Sequence, residues 1–115
     1  KARPSPAKKP FTAAMNRLRD ILAQSSQQPP AKTAADVSEA LRIYFLDRYK
    51  IPAPFRTTHE LFEEGGIPST SQRLKKYAPL AELWDQLAFA PVPADHAAAT
   101  ALVQKAIAHL EEDRS

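Results

Sequence analysis

The residues best suited to chemistry are a histidine and its neighbouring carboxylates between positions 59 and 64. His59 and Glu63 are four residues apart, so on a helix they would share one face and could begin a metal site. Two ligands do not complete a coordination sphere, and the other histidines, His96 and His109, belong to a later segment. We therefore interpret this group as surface residues with a helix cap, and expect no metal or other cofactor.

Other kinds of catalytic site find equally little support. The chain has no cysteine, which excludes a thiolate site and slightly favours a reducing compartment. Its two glycines, Gly65 and Gly66, are adjacent and follow a predicted helix, so they suit termination of that helix and not a phosphate-binding loop. No nucleophile motif of the G-x-S-x-G type is possible. We expect a non-catalytic protein, and a small metal-dependent enzyme is only a third hypothesis.

Charge is distributed unevenly. Residues 1–50 contain ten Lys or Arg against four Asp or Glu, whereas residues 51–115 contain six against nine. Residues 1–10, KARPSPAKKP, combine three prolines with Lys1, Arg3, Lys8 and Lys9, and lack any bulky apolar side chain. Such a segment predicts a flexible basic arm. Its cations could contact nucleic-acid phosphates or, next to a membrane span, the anionic headgroups of a bilayer.

The elements that would position any site are helices. Apolar residues at helical spacing predict a first helix over residues 11–24, followed by a polar linker, 25–32, that ends in a diproline. A second helix would start at a cap provided by Thr33 or Asp36 and end near Tyr49. Residues 33–112 form the predicted helical core, and no segment alternates as a strand would.

Three further helices complete the prediction. A short one would be capped by Thr57 or Thr58, with Glu60 returning the capping bond. The next would start near Ser69, and Pro79 would either kink it or begin a new helix. The last would follow a cap at Asp95, and the residues after Leu110 would be solvent-exposed. The predicted fold is therefore all-α: one domain over residues 11–115, with about five helices and a flexible N-terminal arm.

Two groups of apolar residues could form a binding surface. Ile43 and Leu46 lie opposite the main apolar face of the second helix, so they would either make that helix central or expose a patch for a partner. The aromatic residues could line a groove, but aromatic side chains at helical spacing belong to a core more often. These are Trp84, Tyr44, Tyr49 and Phe55.

Two short motifs resemble a known family. The first is EALR at residues 39–42, leading to Phe45 and Tyr49, then IPA at 51–53 and TTHEL at 57–61. The second is LWDQLAFAP at 83–91, in which Asp85 precedes Phe-Ala-Pro by four residues. From residue 37 to 110 this order resembles the C-terminal cytosolic domain of BatD-type bacterial membrane proteins and their single-span relatives. The genes of that family accompany MoxR-type AAA+ ATPases and von Willebrand factor A-domain proteins.

The resemblance implies a location and a class of partner but no catalytic residue. It implies that a transmembrane helix precedes Lys1 and that the domain lies at the cytoplasmic face of the bacterial inner membrane. The motif residues Thr57, Thr58, Glu60, Trp84, Asp85 and Phe89 are expected to be structural. In particular, we expect Phe89 to pack in the core, so that Phe89→Ala would cost about 3–5 kcal/mol.

The function we predict is that of an adaptor domain. It would bind a protein partner, an AAA+ ATPase or a von Willebrand A-domain protein by the resemblance, while the basic arm would lie next to the membrane. The alternative is a helical module that binds nucleic acid through the arm, with an affinity that falls steeply with salt. No small-molecule substrate is evident.

Overall fold

The computed structural model describes residues 8–57, 75–89 and 95–114. These residues form four α-helices and one 3-10 turn, without strands, as the all-α prediction requires. The helices are α1 (Lys8–Gln24), α2 (Pro30–Tyr49), α3 (Ala78–Phe89) and α4 (His96–Arg114), and the 3-10 turn is Ala53–Phe55. The predicted short third helix, with Thr58, His59 and Glu60, and the predicted start at Ser69 lie outside the described residues.

Helix α1 begins earlier than its apolar pattern predicts. Its first residue is Lys8, three residues before Phe11, so residues 8–10 belong to the helix and not to the predicted arm. Pro10 is then the third residue of the helix, where a missing N–H costs nothing because the first four N–H groups of a helix have no internal partner. The end at Gln24 is as predicted. The following Ser25 is buried, and its hydroxyl lies 2.8 Å from the hydroxyl of Thr100 on α4.

Helix α2 begins at Pro30, and the prediction of a cap at Thr33 or Asp36 is wrong. Pro30 occupies the first position, to which its fixed φ is suited, and the N-cap residue Pro29 makes no side-chain capping bond. Asp36 lies within the helix, 3.3 Å from the Lys32 ammonium and 3.9 Å from the Arg17 guanidinium of α1. The carboxylate thus connects α2 to α1 instead of capping α2.

The predicted end of α2 near Tyr49 is confirmed. Lys50 adopts a left-handed conformation with φ of 60°, and its N–H donates to the carbonyl of Leu46 at 3.0 Å. The next N–H, of Ile51, donates to the carbonyl of Phe45 at 3.4 Å. These bonds satisfy two of the carbonyls that a helix end leaves unpaired. The chain then changes direction and continues into the 3-10 turn, which packs against α2.

Helices α3 and α4 begin where Pro79 and Asp95 predict a helix start. Pro79 is the second residue of α3, so it starts a helix and does not kink one. The Asp95 carboxylate caps α4 by accepting a hydrogen bond from the Ala98 N–H at 2.9 Å. The C-terminal segment differs from the prediction in part. Glu111 and Glu112 are exposed as predicted, but α4 continues to Arg114, and the Asp113 side chain is only 8% accessible.

The core lies around α2, which contacts each of the other three helices. Its predicted face is completely buried, as is the predicted inner face of α4. Trp84 of α3 and Tyr77, just before α3, are the largest buried side chains besides those of α2. The buried residues of these faces are Val37, Ala40, Leu41, Tyr44 and Phe45 on α2, and Ala99, Leu102, Val103, Ala106 and Leu110 on α4. Helix α2 is therefore the central helix of the bundle.

Candidate protein-interaction groove

A groove of about 670 Å³ runs between the first half of α2 and α3. Its walls are mostly small or apolar, which lets another chain approach the helix backbones closely. The lining residues are Ala34, Ala35, Ser38, Glu39, Arg42, Pro54, Thr57, Trp84, Asp85, Ala88 and Phe89. Four motif residues from the sequence are thus brought together here: Thr57, Trp84, Asp85 and Phe89. Trp84 is 1% exposed, so it belongs to the wall that joins the groove to the core.

Arg42 fixes the junction between α2 and the 3-10 turn. Its Nε donates to the Ser38 hydroxyl at 2.8 Å, and one terminal nitrogen donates to the carbonyls of Ala53, at 3.1 Å, and Arg56. Burial lowers the pKa of the Arg42 guanidinium, and the nearby Asp85 carboxylate acts in the opposite direction. An arginine remains charged in any case, so the lasting effect is positional. The guanidinium holds the turn that forms one end of the groove.

Phe89 is exposed, and the prediction that it packs in the core is wrong. Its accessible fraction is 80%, and it lines the groove from the last position of α3. At 100° per residue, position 89 lies about 140° around the helix from Trp84, whereas Ala88 takes the place one turn after Trp84. Asp85 and Phe89 share one face, as their spacing requires, but this face borders the groove and not the core.

Phe55 is a second exposed phenylalanine close to the same groove. It is 82% accessible and is the last residue of the 3-10 turn. The residue before it, Pro54, lines the groove. Sequence patterning favoured a core position for Phe55, along with Tyr44, Tyr49 and Trp84. Tyr44 and Trp84 are indeed buried, and Tyr49 packs against the core. The available signal for Phe55 was its location between prolines and a polar segment, outside any helical period.

The other predicted surface residues lie elsewhere. Ile43 is 45% exposed and lines a smaller groove, of about 200 Å³, between α1 and α2. Leu46 is half-buried. Although α2 is the central helix, its neighbours therefore leave Ile43 exposed. Of the predicted membrane-proximal cations, Lys1 and Arg3 lie outside the described residues, whereas Lys8 and Lys9 are the first two residues of α1.

Within residues 8–57, 75–89 and 95–114, no three His, Asp or Glu side chains come together as metal ligands. The His59 group lies outside these ranges. Of the helices described above, none is both long enough and apolar enough to cross a bilayer.

Comparison with known proteins gave no relative. No protein-family model matches the chain, and no similar curated protein or solved structure was found.

Proposed function

We propose that this domain is a non-catalytic protein-interaction domain, and that the groove between α2 and α3 is its docking surface. The observation that carries the proposal is the exposure of two phenylalanines, each about four-fifths accessible. Phe89 lines a groove whose walls are mainly small residues, and Phe55 directly follows Pro54, which also lines it. Exposed aromatic side chains grouped around a concave surface are typical of binding sites, and buried aromatics often dominate the energy of an interface.

The occupant we propose is an amphipathic helix of the partner. Alanines on the groove wall allow the backbone of such a helix to come close, while the two phenylalanines would close over its apolar face. Glu39 and Asp85 give the lining two carboxylates against the single guanidinium of Arg42. This balance favours a partner helix with a lysine or arginine at the edge of its apolar face.

The proposed partner and location follow the family resemblance of residues 37–110. The partner would be a MoxR-type AAA+ ATPase or a von Willebrand A-domain protein. The domain would be tethered at the cytoplasmic face of the inner membrane, with the basic residues Lys1, Arg3, Lys8 and Lys9 next to anionic headgroups. The folded domain would then present the groove to its partner near the membrane surface.

Co-purification of the full-length protein from bacterial membranes tests the proposal. The wild-type protein should retain an AAA+ ATPase or a von Willebrand A-domain protein, identified by mass spectrometry. The double variant Phe55→Ala with Phe89→Ala should retain at least about ten times less, since two hot-spot side chains together contribute more than about 1.4 kcal/mol. Circular dichroism should show that this variant is folded.

Two results would overturn the assignment. If the double variant retains as much partner as the wild type, the groove is not the docking surface. The matched variant Ile43→Ala, which alters the exposed residue of the other groove, should leave retention unchanged. Loss of the partner in Ile43→Ala alone would place the interaction on the α1–α2 side. A wild-type protein that is absent from membranes and retains neither class of partner would contradict the adaptor function itself.

A further inference from the structure

A second polar site lies at the opposite end of α2, where three side chains surround the carboxylate of Asp113. One carboxylate oxygen accepts hydrogen bonds from the Tyr49 hydroxyl at 2.7 Å, the Tyr44 hydroxyl at 2.8 Å and an Arg48 terminal nitrogen at 3.3 Å. The same Arg48 nitrogen donates to the main-chain carbonyl of Asp113 at 2.7 Å and to the Tyr44 hydroxyl. Among the described residues, two hydroxyl groups and one guanidinium therefore donate to this carboxylate oxygen.

All three donors come from one short segment of one helix. Tyr44, Arg48 and Tyr49 lie within the last two turns of α2, and the Arg48 guanidinium is 5.8 Å and 5.2 Å from the ring centres of Tyr44 and Tyr49. Those rings stack edge to face at 6.1 Å, and cation–π attraction adds to the positioning of the guanidinium. The geometry of the donors is thus set by α2 itself, whereas the anion comes from another helix.

The position of Asp113 is unfavourable for a carboxylate in two respects. It lies in the last turn of α4, where the helix dipole repels negative charge, and its side chain is largely removed from water. The donors on α2 must offset both costs. A cluster that holds a carboxylate under these conditions is chemically equipped to hold a carboxylate from another source.

Tyr77 provides an independent observation that points to the same location. Its hydroxyl is buried and, among the described residues, has no hydrogen-bond partner. The pKa of this hydroxyl is raised above its ordinary value, first by burial and then by the negative charge of Asp113. A further hydroxyl group therefore lies close enough to the anion for the two to interact electrostatically.

We propose that Tyr44, Arg48 and Tyr49 form a carboxylate-binding site, and that Asp113 occupies it as a built-in ligand. A carboxylate from outside, either a small anion or an acidic side chain of a peptide, would bind when Asp113 leaves. Since Asp113 is the second-last residue of α4, unwinding only the final turn would vacate the site, and helix ends open at low cost. The site is separate from the proposed groove and does not depend on it.

The first test removes the built-in ligand from the full chain. The thermal midpoint of Asp113→Ala is measured by circular dichroism in sodium formate and in sodium chloride at equal ionic strength. Formate should raise the midpoint of the variant above its value in chloride by about 4 °C or more. The wild type should show no such difference because its site is filled. If the variant is unfolded in chloride, the same titration is read as recovery of helical signal in formate.

Two matched variants define the site. Asp113→Asn keeps the space filled, so formate should not stabilise it beyond chloride. Adding Arg48→Met to Asp113→Ala should abolish the formate effect. The proposal is overturned if formate and chloride act equally on Asp113→Ala, or if the effect persists without Arg48.

The second test distinguishes the two sources of the carboxylate. A peptide with the sequence of residues 107–115 is titrated into Asp113→Ala, beside the same peptide carrying Asp113→Asn. Tighter binding of the acidic peptide than of formate, with loss of binding in the substituted peptide, assigns the site to a peptide carboxylate. Formate binding without peptide binding assigns it to small anions. Binding of neither overturns the proposal.

Discussion

Alkaline pH is expected to unfold this domain because two of its three tyrosines keep their protons only while they are buried. Tyr44 and Tyr77 are each 1% exposed, and burial is the largest cause that raises the pKa of both hydroxyls well above 10. For Tyr44, the hydrogen bond from Arg48 acts in the opposite direction, but the carboxylate of Asp113 adds to the increase. In the unfolded chain both hydroxyls ionise near pH 10.

The direction and size of the effect follow from proton linkage. Above about pH 10 the unfolded chain releases protons that the folded domain retains, so the folded state binds more protons and the free energy of unfolding falls. Each retained proton lowers it by about 1.36 kcal/mol per pH unit, hence about 2.7 kcal/mol for two tyrosines. Over two pH units the loss is about 5 kcal/mol, comparable to the total stability of many small domains. Below about pH 10 this contribution is fully present.

The assay combines urea unfolding with tyrosinate absorbance. Unfolding curves at a series of pH values from neutral to about 11.5 should give a free energy that is flat and then declines from about pH 10. Tyrosinate absorbance should show that Tyr44 and Tyr77 ionise together with the loss of helical circular dichroism. The variant Tyr77→Phe is the control: its decline should be about half as steep, near 1.4 kcal/mol per pH unit.

Either of two observations would contradict the expected unfolding at alkaline pH. In one, all three tyrosines ionise near pH 10 while the helical signal is unchanged, which would mean that Tyr44 and Tyr77 are accessible in the folded state. In the other, Tyr77→Phe has the same slope as the wild type. At neutral pH, Tyr77→Phe should be neutral or slightly stabilising, because it removes a buried hydroxyl that has no partner among the described residues.

Four further substitutions test the local structure by urea unfolding. Phe89→Ala should change the free energy of unfolding by less than about 0.5 kcal/mol because the ring is exposed, whereas Trp84→Ala, in the core, should lower it by about 3–5 kcal/mol. Similar costs for both variants would contradict the assigned faces of α3. Asp95→Ala should cost about 1 kcal/mol by removing the cap of α4, and an unchanged midpoint would mean that the cap is replaced. Lys50→Gly should stabilise by about 0.5–1 kcal/mol, since glycine accepts a positive φ without strain; destabilisation would show that the Lys50 side chain is itself needed.

The helices were predictable from sequence where an apolar period coincided with a local start or stop signal. Asp95 is an example, because its carboxylate caps α4 and the predicted inner face of that helix is buried. The start of α2 was misplaced because Thr33 and Asp36 have the chemistry of capping residues. Pro30 begins the helix without a side-chain cap, and a tertiary ion pair with Arg17 takes the Asp36 carboxylate instead.

The candidate site was less predictable, because exposure at the end of a helix depends on where neighbouring elements stop. Phe89 is a large apolar residue of the kind usually found in a core, and the motif around it suggested a structural role. It lies about 140° around the axis of α3 from Trp84, so it is not on the side of the helix that faces the core. That angle can be calculated from the sequence alone, but only packing shows that no other described helix covers this face.

The two proposed sites use α2 in opposite ways. Its first half presents small residues and forms an open groove, whereas its last two turns carry two tyrosines and an arginine that hold the end of α4. Because one rigid helix carries both, a partner in the groove and a carboxylate at the other end would each act on the same element. The groove variant Phe55→Ala with Phe89→Ala should therefore leave the formate response of Asp113→Ala unchanged. If that response is lost, the two sites are coupled through α2 and do not function independently.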